Sequence, residues 1–229
     1  MIAEANGIDL YYEKTGAGRP LVMVHGNGED HGIFEEAVSV LREHFTCYCV
    51  DSRGHGKSSA VRVFHYEDMA KDMIAFMERL DLQDAVFYGF SDGGIVGLLA
   101  AAHCPRITTL IVSGANLTPE GVRAGLRLLF RVLYFFKKDP KTALMLNEPH
   151  ITDDILNRIT AKTLVLAGSK DIIVPEQTRR IAAAIPGAEL RILEGESHGS
   201  YIVHNKAIGE LILGFAAGLK KEGNPAVSE

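Results

Sequence analysis

Three polar residues, each of which follows an apolar segment, have the kinds of side chain that nucleophilic catalysis needs. The first, Ser91, stands at the centre of Gly89-Phe90-Ser91-Asp92-Gly93, between a strand-like apolar run and a helix-like apolar run. This G-x-S-x-G spacing is typical of a sharp strand-to-helix turn that exposes a strained serine. Glycines suit so tight a bend, because a Cβ there would contact the neighbouring chain. An ordinary glycine-rich turn is the alternative interpretation.

A nucleophilic serine needs a base to take its proton and a further group to orient that base. Asp171 comes shortly after the apolar run at residues 163–167, and His198 comes after the apolar run at residues 190–193. Parallel strands end at a common edge of their sheet, so we expect Ser91, Asp171 and His198 to converge there. A histidine alone would more often be structural; its place in this series makes His198 the candidate base.

The elements that must position these residues alternate along the chain. Strand-like runs occur at residues 21–24, 47–50, 85–88, 109–113, 163–167 and 190–193, after a hairpin at residues 2–14. Apolar residues at helical spacing, or a composition that favours a helix, are found at residues 33–43, 66–80, 95–102, 181–185 and 206–219. This alternation predicts an α/β fold with a mostly parallel, doubly wound sheet. The 229 residues fit one domain.

The segment at residues 116–160 interrupts the alternation, since it has no strand signal. Residues 122–138 are strongly helical and apolar, with arginines every four residues on one face: Arg123, Arg127 and Arg131. So apolar a helix should not lie bare on a surface. We interpret it as a small lid over the carboxyl edge of the sheet, where such sheets bind ligands. Leu126, Phe130 and Leu133 are the predicted substrate contacts; a routine crossover helix and a membrane-surface helix are alternatives.

The composition of the chain limits which binding partners and which cellular compartment we expect. The chain has 24 Lys and Arg against 29 Asp and Glu, a formal charge of −5 that argues against nucleic acid. No apolar stretch reaches the ~20 residues that span a bilayer, and the N-terminus lacks a signal-peptide pattern. Cys47, Cys49 and Cys104 lack the spacing of a metal site and are expected to pack in the core. We therefore predict a cytoplasmic protein without stable membrane insertion, metal or cofactor.

Five motifs together resemble the α/β-hydrolase fold superfamily, along nearly the whole chain. They are His25-Gly26-Asn27-Gly28, the run at residues 51–58, Gly89-Phe90-Ser91-Asp92-Gly93-Gly94, Gly168-Ser169-Lys170-Asp171 and Ser197-His198-Gly199. The resemblance implies Ser91 as nucleophile, His198 as general base and then acid, and Asp171 as the residue that orients the imidazole. It implies an oxyanion hole made by the backbone N–H groups of Asn27 and Asp92. It also implies one domain at residues 1–229, with residues 116–160 as a short helical cap inserted in it.

Residues around these motifs have competing interpretations. His25, Arg53 and His55 are expected to brace their loops rather than to react. Asp92 is either a helix N-terminal acid, which the helix dipole favours, or a carboxylate that attracts a cationic substrate group. Gly56-Lys57-Ser58 is not a phosphate loop, because that motif needs glycine where Asp51 stands.

The predicted activity is hydrolysis of a small carboxylic ester, thioester or lactone through an acyl-Ser91 intermediate. The apolar lid favours a substrate with a hydrophobic acyl or aryl group. Superfamily members that use a carboxylate nucleophile are a poor match, because position 91 is serine. Acyl transfer, carbon–carbon bond hydrolysis on the same three residues, and a non-catalytic ligand-binding module are the alternatives.

Overall fold

A mostly parallel sheet of eight strands runs through the computed structural model, which describes residues 1–217. The strands are β1 (Ile2–Ala5), β2 (Ile8–Thr15), β3 (Arg19–Val24), β4 (Phe45–Val50), β5 (Ala85–Phe90), β6 (Ile107–Ser113), β7 (Lys162–Lys170) and β8 (Glu189–Ser197). Their order across the sheet is β1-β2-β4-β3-β5-β6-β7-β8, and only the pairings of β2 with β1 and β4 are antiparallel. The predicted α/β fold with a mostly parallel sheet is confirmed.

Eight α-helices lie between or after the strands within these residues. They are α1 (Glu35–Leu41), α2 (Tyr66–Arg79), α3 (Asp92–Ala101), α4 (Ala124–Lys137), α5 (Pro140–Asn147), α6 (Asp153–Leu156), α7 (Pro175–Ala184) and α8 (Ala207–Ala216). The helix predicted at residues 33–43 divides, because a 3₁₀ turn at His31–Phe34 precedes α1. The last predicted helix, 206–219, extends beyond the described residues. No helix at residues 1–217 is both long and apolar enough to cross a bilayer.

The core forms two layers, one on each face of the sheet. Along β3, Val22 and Val24 face one layer, which includes α2 and α3, while Leu21 and Met23 face the other, which includes α1 and α8. All four side chains are fully buried. Burial on both faces explains why the central strands are continuous apolar runs rather than alternating ones.

The two ends of the sheet differ from its centre. At one end, β1 and β2 form the predicted hairpin through Asn6 and Gly7, both at positive φ, as a tight two-residue turn requires. At the other end, β8 is an edge strand that pairs with β7 alone. Its side chains are mostly exposed, Leu190 and Ile192 among them. Residues at the end of β8 therefore have less support than those after β5.

Helix α4 contradicts one expectation from the sequence, because none of its residues is buried. We expected that so apolar a helix would not lie bare, and this is wrong. The helix is attached mainly at its start, where the Arg123 amide donates to the Ile172 carbonyl (2.9 Å), and by packing against α5. Helices α4, α5 and α6 all lie within residues 116–160, between β6 and β7. The division of the chain into a main domain and a cap stays a prediction.

Candidate active site

Ser91 occupies a strained turn between β5 and α3. Its φ of 54° and ψ of −114° are unfavourable for a residue with a side chain. The flanking glycines make the turn sterically possible: a Cβ on Gly89 would lie 2.0 Å from the Gly93 carbonyl oxygen, and one on Gly93 would lie 2.1 Å from the Val24 carbonyl oxygen. The Ser91 amide donates to the Ser113 carbonyl at 2.8 Å, which ties the turn to β6.

Ser91, His198 and Asp171 lie in hydrogen-bonding sequence at the carboxyl edge of the sheet. His198 Nε2 is 3.0 Å from Ser91 Oγ, and His198 Nδ1 is 2.7 Å from Asp171 Oδ1. Asp171 directly follows β7 and is buried, and His198 directly follows β8. The Ile173 amide donates to the same Asp171 oxygen at 2.9 Å. The structure thus brings together the three residues that the sequence analysis singled out.

The imidazole is held on several sides in the orientation that base catalysis requires. A carboxylate at Nδ1 favours the tautomer with its proton there, which leaves Nε2 free to accept the serine proton. The Phe90 ring packs 4.9 Å from the His198 ring, centroid to centroid. Gly114, directly after β6, approaches the imidazole so closely that a Cβ there would lie 2.6 Å from Cε1. Sequence analysis missed Gly114, although its place after a central strand was a usable signal.

Two backbone N–H groups near Ser91 have no hydrogen-bond acceptor among residues 1–217. They belong to Asn27, in the loop after β3, and to Asp92, the first residue of α3. The Gly93 amide donates to the His25 carbonyl at 3.1 Å, which joins the loop to the serine turn. The start of a helix also favours negative charge. These groups are the predicted oxyanion hole, and that role stays a prediction.

Neighbouring amides of the same loop are already bonded. The Gly26 amide donates to Glu29 Oε2 (2.9 Å), and the Gly28 amide donates to His55 Nε2 (3.2 Å). Burial raises the pKa of the half-buried Glu29 carboxyl. Glu29 was missed by sequence analysis, since an acidic residue in a glycine-rich loop carries no pattern of its own. The loop is therefore braced on both sides of Asn27.

His25 and His55, the two histidines of these loops, form hydrogen bonds with backbone groups. His25 Nε2 accepts from the Ser52 amide at 3.0 Å, and its Nδ1 donates to the Gly26 carbonyl at 2.7 Å. His55 Nδ1 donates to the Arg53 carbonyl at 2.9 Å. Burial lowers the pKa of both imidazoles, that of His55 to about 4. Both rings are therefore neutral near pH 7 and use both nitrogens to hold backbone.

The Asp92 carboxylate is buried and bonded by two protein donors. The Tyr66 hydroxyl donates to Oδ1 and the Asn27 side-chain amide donates to Oδ2, each at 2.8 Å. Burial raises the pKa of Asp92. The carboxylate thus links the loop after β3 to α2. Its predicted alternative role, attraction of a cationic substrate group, stays a prediction.

A small cavity of about 40 Å³ opens beside Ser91. Its lining is mostly apolar and comes from the start of α2, the serine turn, the segment between β6 and β7 and the loop after β7: Tyr66, Ser91, Asp92, Asn116, Val122, Phe130, Met145, Glu148, Ile172 and Ile173. Of the three predicted lid contacts, Phe130 lines this cavity, whereas half-buried Leu126 and exposed Leu133 do not. A substrate contact by the latter two stays a prediction. Met145 on α5 was missed, because its helix has no strong apolar face in the sequence.

One group of potential metal ligands lies outside this site. Ligand atoms of Asp30, His31 and Asp51 are within 4.8 Å of one another. These atoms already have protein partners: Asp30 Oδ1 accepts from the Gly32 amide (2.8 Å), and Asp51 Oδ1 lies 2.7 Å from His31 Nδ1. The group therefore has a structural use in anchoring the 3₁₀ turn before α1.

Comparison with known proteins gives a consistent family. The sequence profile of the family described as "alpha/beta hydrolase fold" matches residues 19–143. Human serine hydrolase BPHL is 28% identical over 232 residues, which cover 86% of this chain and 79% of that protein. The pimeloyl-acyl-carrier-protein methyl ester esterase of Xylella fastidiosa is 36% identical over 114 residues, 50% of this chain and 42% of the esterase.

Solved structures agree on the fold. The bromoperoxidase of Bacillus anthracis superposes with a TM-score of 0.83 at 21% identity, covering 95% of this chain and all of that one. The profile match extends over more than half of the residues, from β3 into α5. The chain therefore belongs to the α/β-hydrolase fold family.

Proposed function

We propose that this protein is a serine hydrolase that cleaves a small carboxylic ester, thioester or lactone through an acyl-Ser91 intermediate. The observation that carries the proposal is the unbroken path from the Ser91 hydroxyl to the His198 imidazole (3.0 Å) and on to the Asp171 carboxylate (2.7 Å). Hydroxyl, base and orienting acid in this sequence are what nucleophilic acyl transfer needs.

In the first half of the reaction, Ser91 Oγ bonds to the substrate carbonyl carbon and His198 Nε2 takes the hydroxyl proton. The carbonyl oxygen becomes an oxyanion, which the free N–H groups of Asn27 and Asp92 stabilise. His198 then gives its proton to the departing alcohol, thiol or lactone oxygen as the acyl bond breaks. Loss of one such N–H donor typically costs about 3 kcal/mol of transition-state stabilisation.

In the second half, a water molecule attacks the acyl carbon while His198 accepts one of its protons. Return of that proton to Ser91 Oγ breaks the acyl–serine bond and releases the carboxylic acid. Asp171 stabilises the imidazolium in both halves without itself taking the proton.

The surroundings of Ser91 support a small, partly apolar acyl or aryl group. The cavity beside Ser91 is only about 40 Å³, and Phe130, Val122 and Ile173 are among its apolar lining. Two relatives are named as a serine hydrolase and a methyl ester esterase, which favours an ester over other acyl compounds.

Active-site labelling and hydrolysis test the proposal together. A fluorophosphonate probe is expected to label the folded wild-type protein once, at Ser91, and p-nitrophenyl esters of graded chain length are expected to be hydrolysed with preference for short acyl groups. Ser91→Ala should lose both labelling and hydrolysis. The matched control is Ser39→Ala, at an exposed serine on α1, which should keep both. Folded wild-type protein that neither reacts with the probe nor cleaves any ester of the panel would contradict the proposal.

A further inference from the structure

Helix α4 exposes a broad apolar face. Phe136 is 77% exposed, Phe135 69% and Leu128 62%, and Leu129, Val132 and Leu133 are also exposed. At about 100° of rotation per residue, these six side chains fall within one arc of about 160°. Among residues 1–217, nothing covers this arc. Contiguous exposed apolar surface of this kind marks a binding surface rather than a random scatter of apolar residues.

The opposite side of the same helix already has its partners. Phe130 lines the Ser91 cavity, and Tyr134 is half-buried. The Arg123 side chain, just before α4, donates to the Asp171 carbonyl at 2.7 Å. The outward apolar arc is therefore not the face that holds α4 on the protein.

The residues that border this arc carry positive charge. Residues 131–138 contain three Lys and Arg and no Asp or Glu, in a chain of formal charge −5. In projection along the helix, exposed Arg131 and Lys137 border the two sides of the arc. Lys138 caps its end, with Nζ 5.3 Å from the centre of the Phe135 ring. Long cationic side chains beside an apolar helix face can keep their charge among lipid headgroups while their stems lie on the apolar boundary.

We propose that α4 docks on an anionic lipid surface through its outer face, with the helix lying in the plane of the surface. The aromatic and aliphatic arc would enter the headgroup boundary, and the bordering cations would contact lipid phosphates. The 14 residues of α4 are too few to span a bilayer, so the helix lies on it. This inference does not depend on the proposed hydrolysis.

A second copy of this chain fits the face less well. In a dimer with two-fold symmetry, each copy buries the same surface patch against that patch of the other copy. Because Arg131 and Lys137 border the arc on both sides, such a pair would set cation against cation along each border. An anionic surface instead complements both borders at once.

Vesicle flotation of the full-length protein tests the docking. The wild-type protein is expected to float with vesicles of phosphatidylcholine and phosphatidylglycerol in equal parts, and to bind vesicles of pure phosphatidylcholine much more weakly. Sodium chloride at 0.5 M should weaken the binding, because it screens the exposed cations. Absence of flotation with the anionic vesicles would overturn the proposal.

Substitutions separate the apolar and the ionic parts of the docking. The double variant Phe135→Ser/Phe136→Ser is expected to lower the vesicle partition constant at least tenfold. Lys137→Gln/Lys138→Gln should lower it about fivefold for each cation removed. Val63→Ser, at a valine that is also 62% exposed but lies far from α4 in sequence, is the matched control and should bind like the wild type. Circular dichroism checks that each variant is folded.

Two further results would contradict the proposal. One is equal partition of the Phe135→Ser/Phe136→Ser variant and the Val63→Ser control. The other is a wild-type dimer in light scattering that the same double phenylalanine variant converts to a monomer, since the face would then bind a second copy. Ester hydrolysis in solution is measured separately, so failure of docking and failure of the proposed enzymatic activity remain distinguishable.

Discussion

Acid should destabilise this protein through His55, a buried histidine that bonds backbone with both ring nitrogens. Its Nδ1 donates to the Arg53 carbonyl and its Nε2 accepts from the Gly28 amide. Protonation of Nε2 would set two N–H groups against each other, and burial further opposes the charge. The pKa of His55 is accordingly lowered to about 4 in the folded protein, from an ordinary value of 6.5.

The sign of the effect follows from these two values. As the pH falls below 6.5, the unfolded chain takes up a proton at His55 and the folded protein does not, so the stability present above pH 6.5 is lost progressively down to pH 4. Linkage gives a loss of about 2 kcal/mol between pH 7 and pH 5, and about 3 kcal/mol by pH 4. Because the Gly28 amide, next to Asn27, donates to His55, the loop after β3 should loosen in the same range.

Urea denaturation at pH 7 and pH 5 measures this loss, with His55→Gln as the variant. Glutamine can still donate and accept hydrogen bonds but does not titrate, so the free energy of unfolding should fall about 2 kcal/mol less between the two pH values than in the wild type. Acidic groups that titrate in both proteins cancel in this difference. His103→Gln, at an exposed histidine, is the control and should follow the wild type. The reasoning is refuted if wild type and His55→Gln lose stability in parallel.

Three further predictions concern the base, a buried ion pair and the thiols. Gly114→Ala should lower kcat at least about tenfold in a folded protein, because the new methyl group would lie 2.6 Å from His198 Cε1; unchanged ester hydrolysis would contradict this. Arg53→Leu should lower the free energy of unfolding, measured in urea, by about 3–5 kcal/mol. The Arg53 guanidinium lies 2.6 Å from the fully buried Asp72 carboxylate, which the substitution leaves without its cation. A loss below about 1 kcal/mol would show the pair to be dispensable. Burial raises the pKa of the Cys47 thiol to about 12, and all three cysteines are buried. Ellman's reagent should therefore label no cysteine in the native protein and three after unfolding. Rapid labelling of the native protein would be inconsistent with this packing.

The convergence of Ser91, Asp171 and His198 could be predicted because it depends on topology. Each residue follows an apolar run, and parallel strands must end at one edge of the sheet whatever the details of packing. The glycines at 89 and 93 were equally readable, since the requirement for them is steric and local. Sequence alone was sufficient wherever a position is set by strand order or by backbone geometry.

The surroundings of the site could not be predicted in the same way. The bond between Tyr66 and Asp92 joins residues 26 positions apart, and nothing in the spacing of either residue indicates the other. Helix α4 shows the same limit for packing: periodicity identifies an apolar face but does not say whether another element covers it. We expected cover for this face, and the structure instead leaves it open.

The place of β8 at the sheet edge has a consequence for how this protein would lose activity. Ser91, the proposed nucleophile, follows β5, which has a neighbouring strand on each side, whereas His198 follows β8, which has one neighbour. Peripheral strands open more readily than central ones, at a smaller cost than global unfolding. Warming should therefore separate base from nucleophile while most of the chain is still native, and catalysis should fade before the bulk of the fold melts.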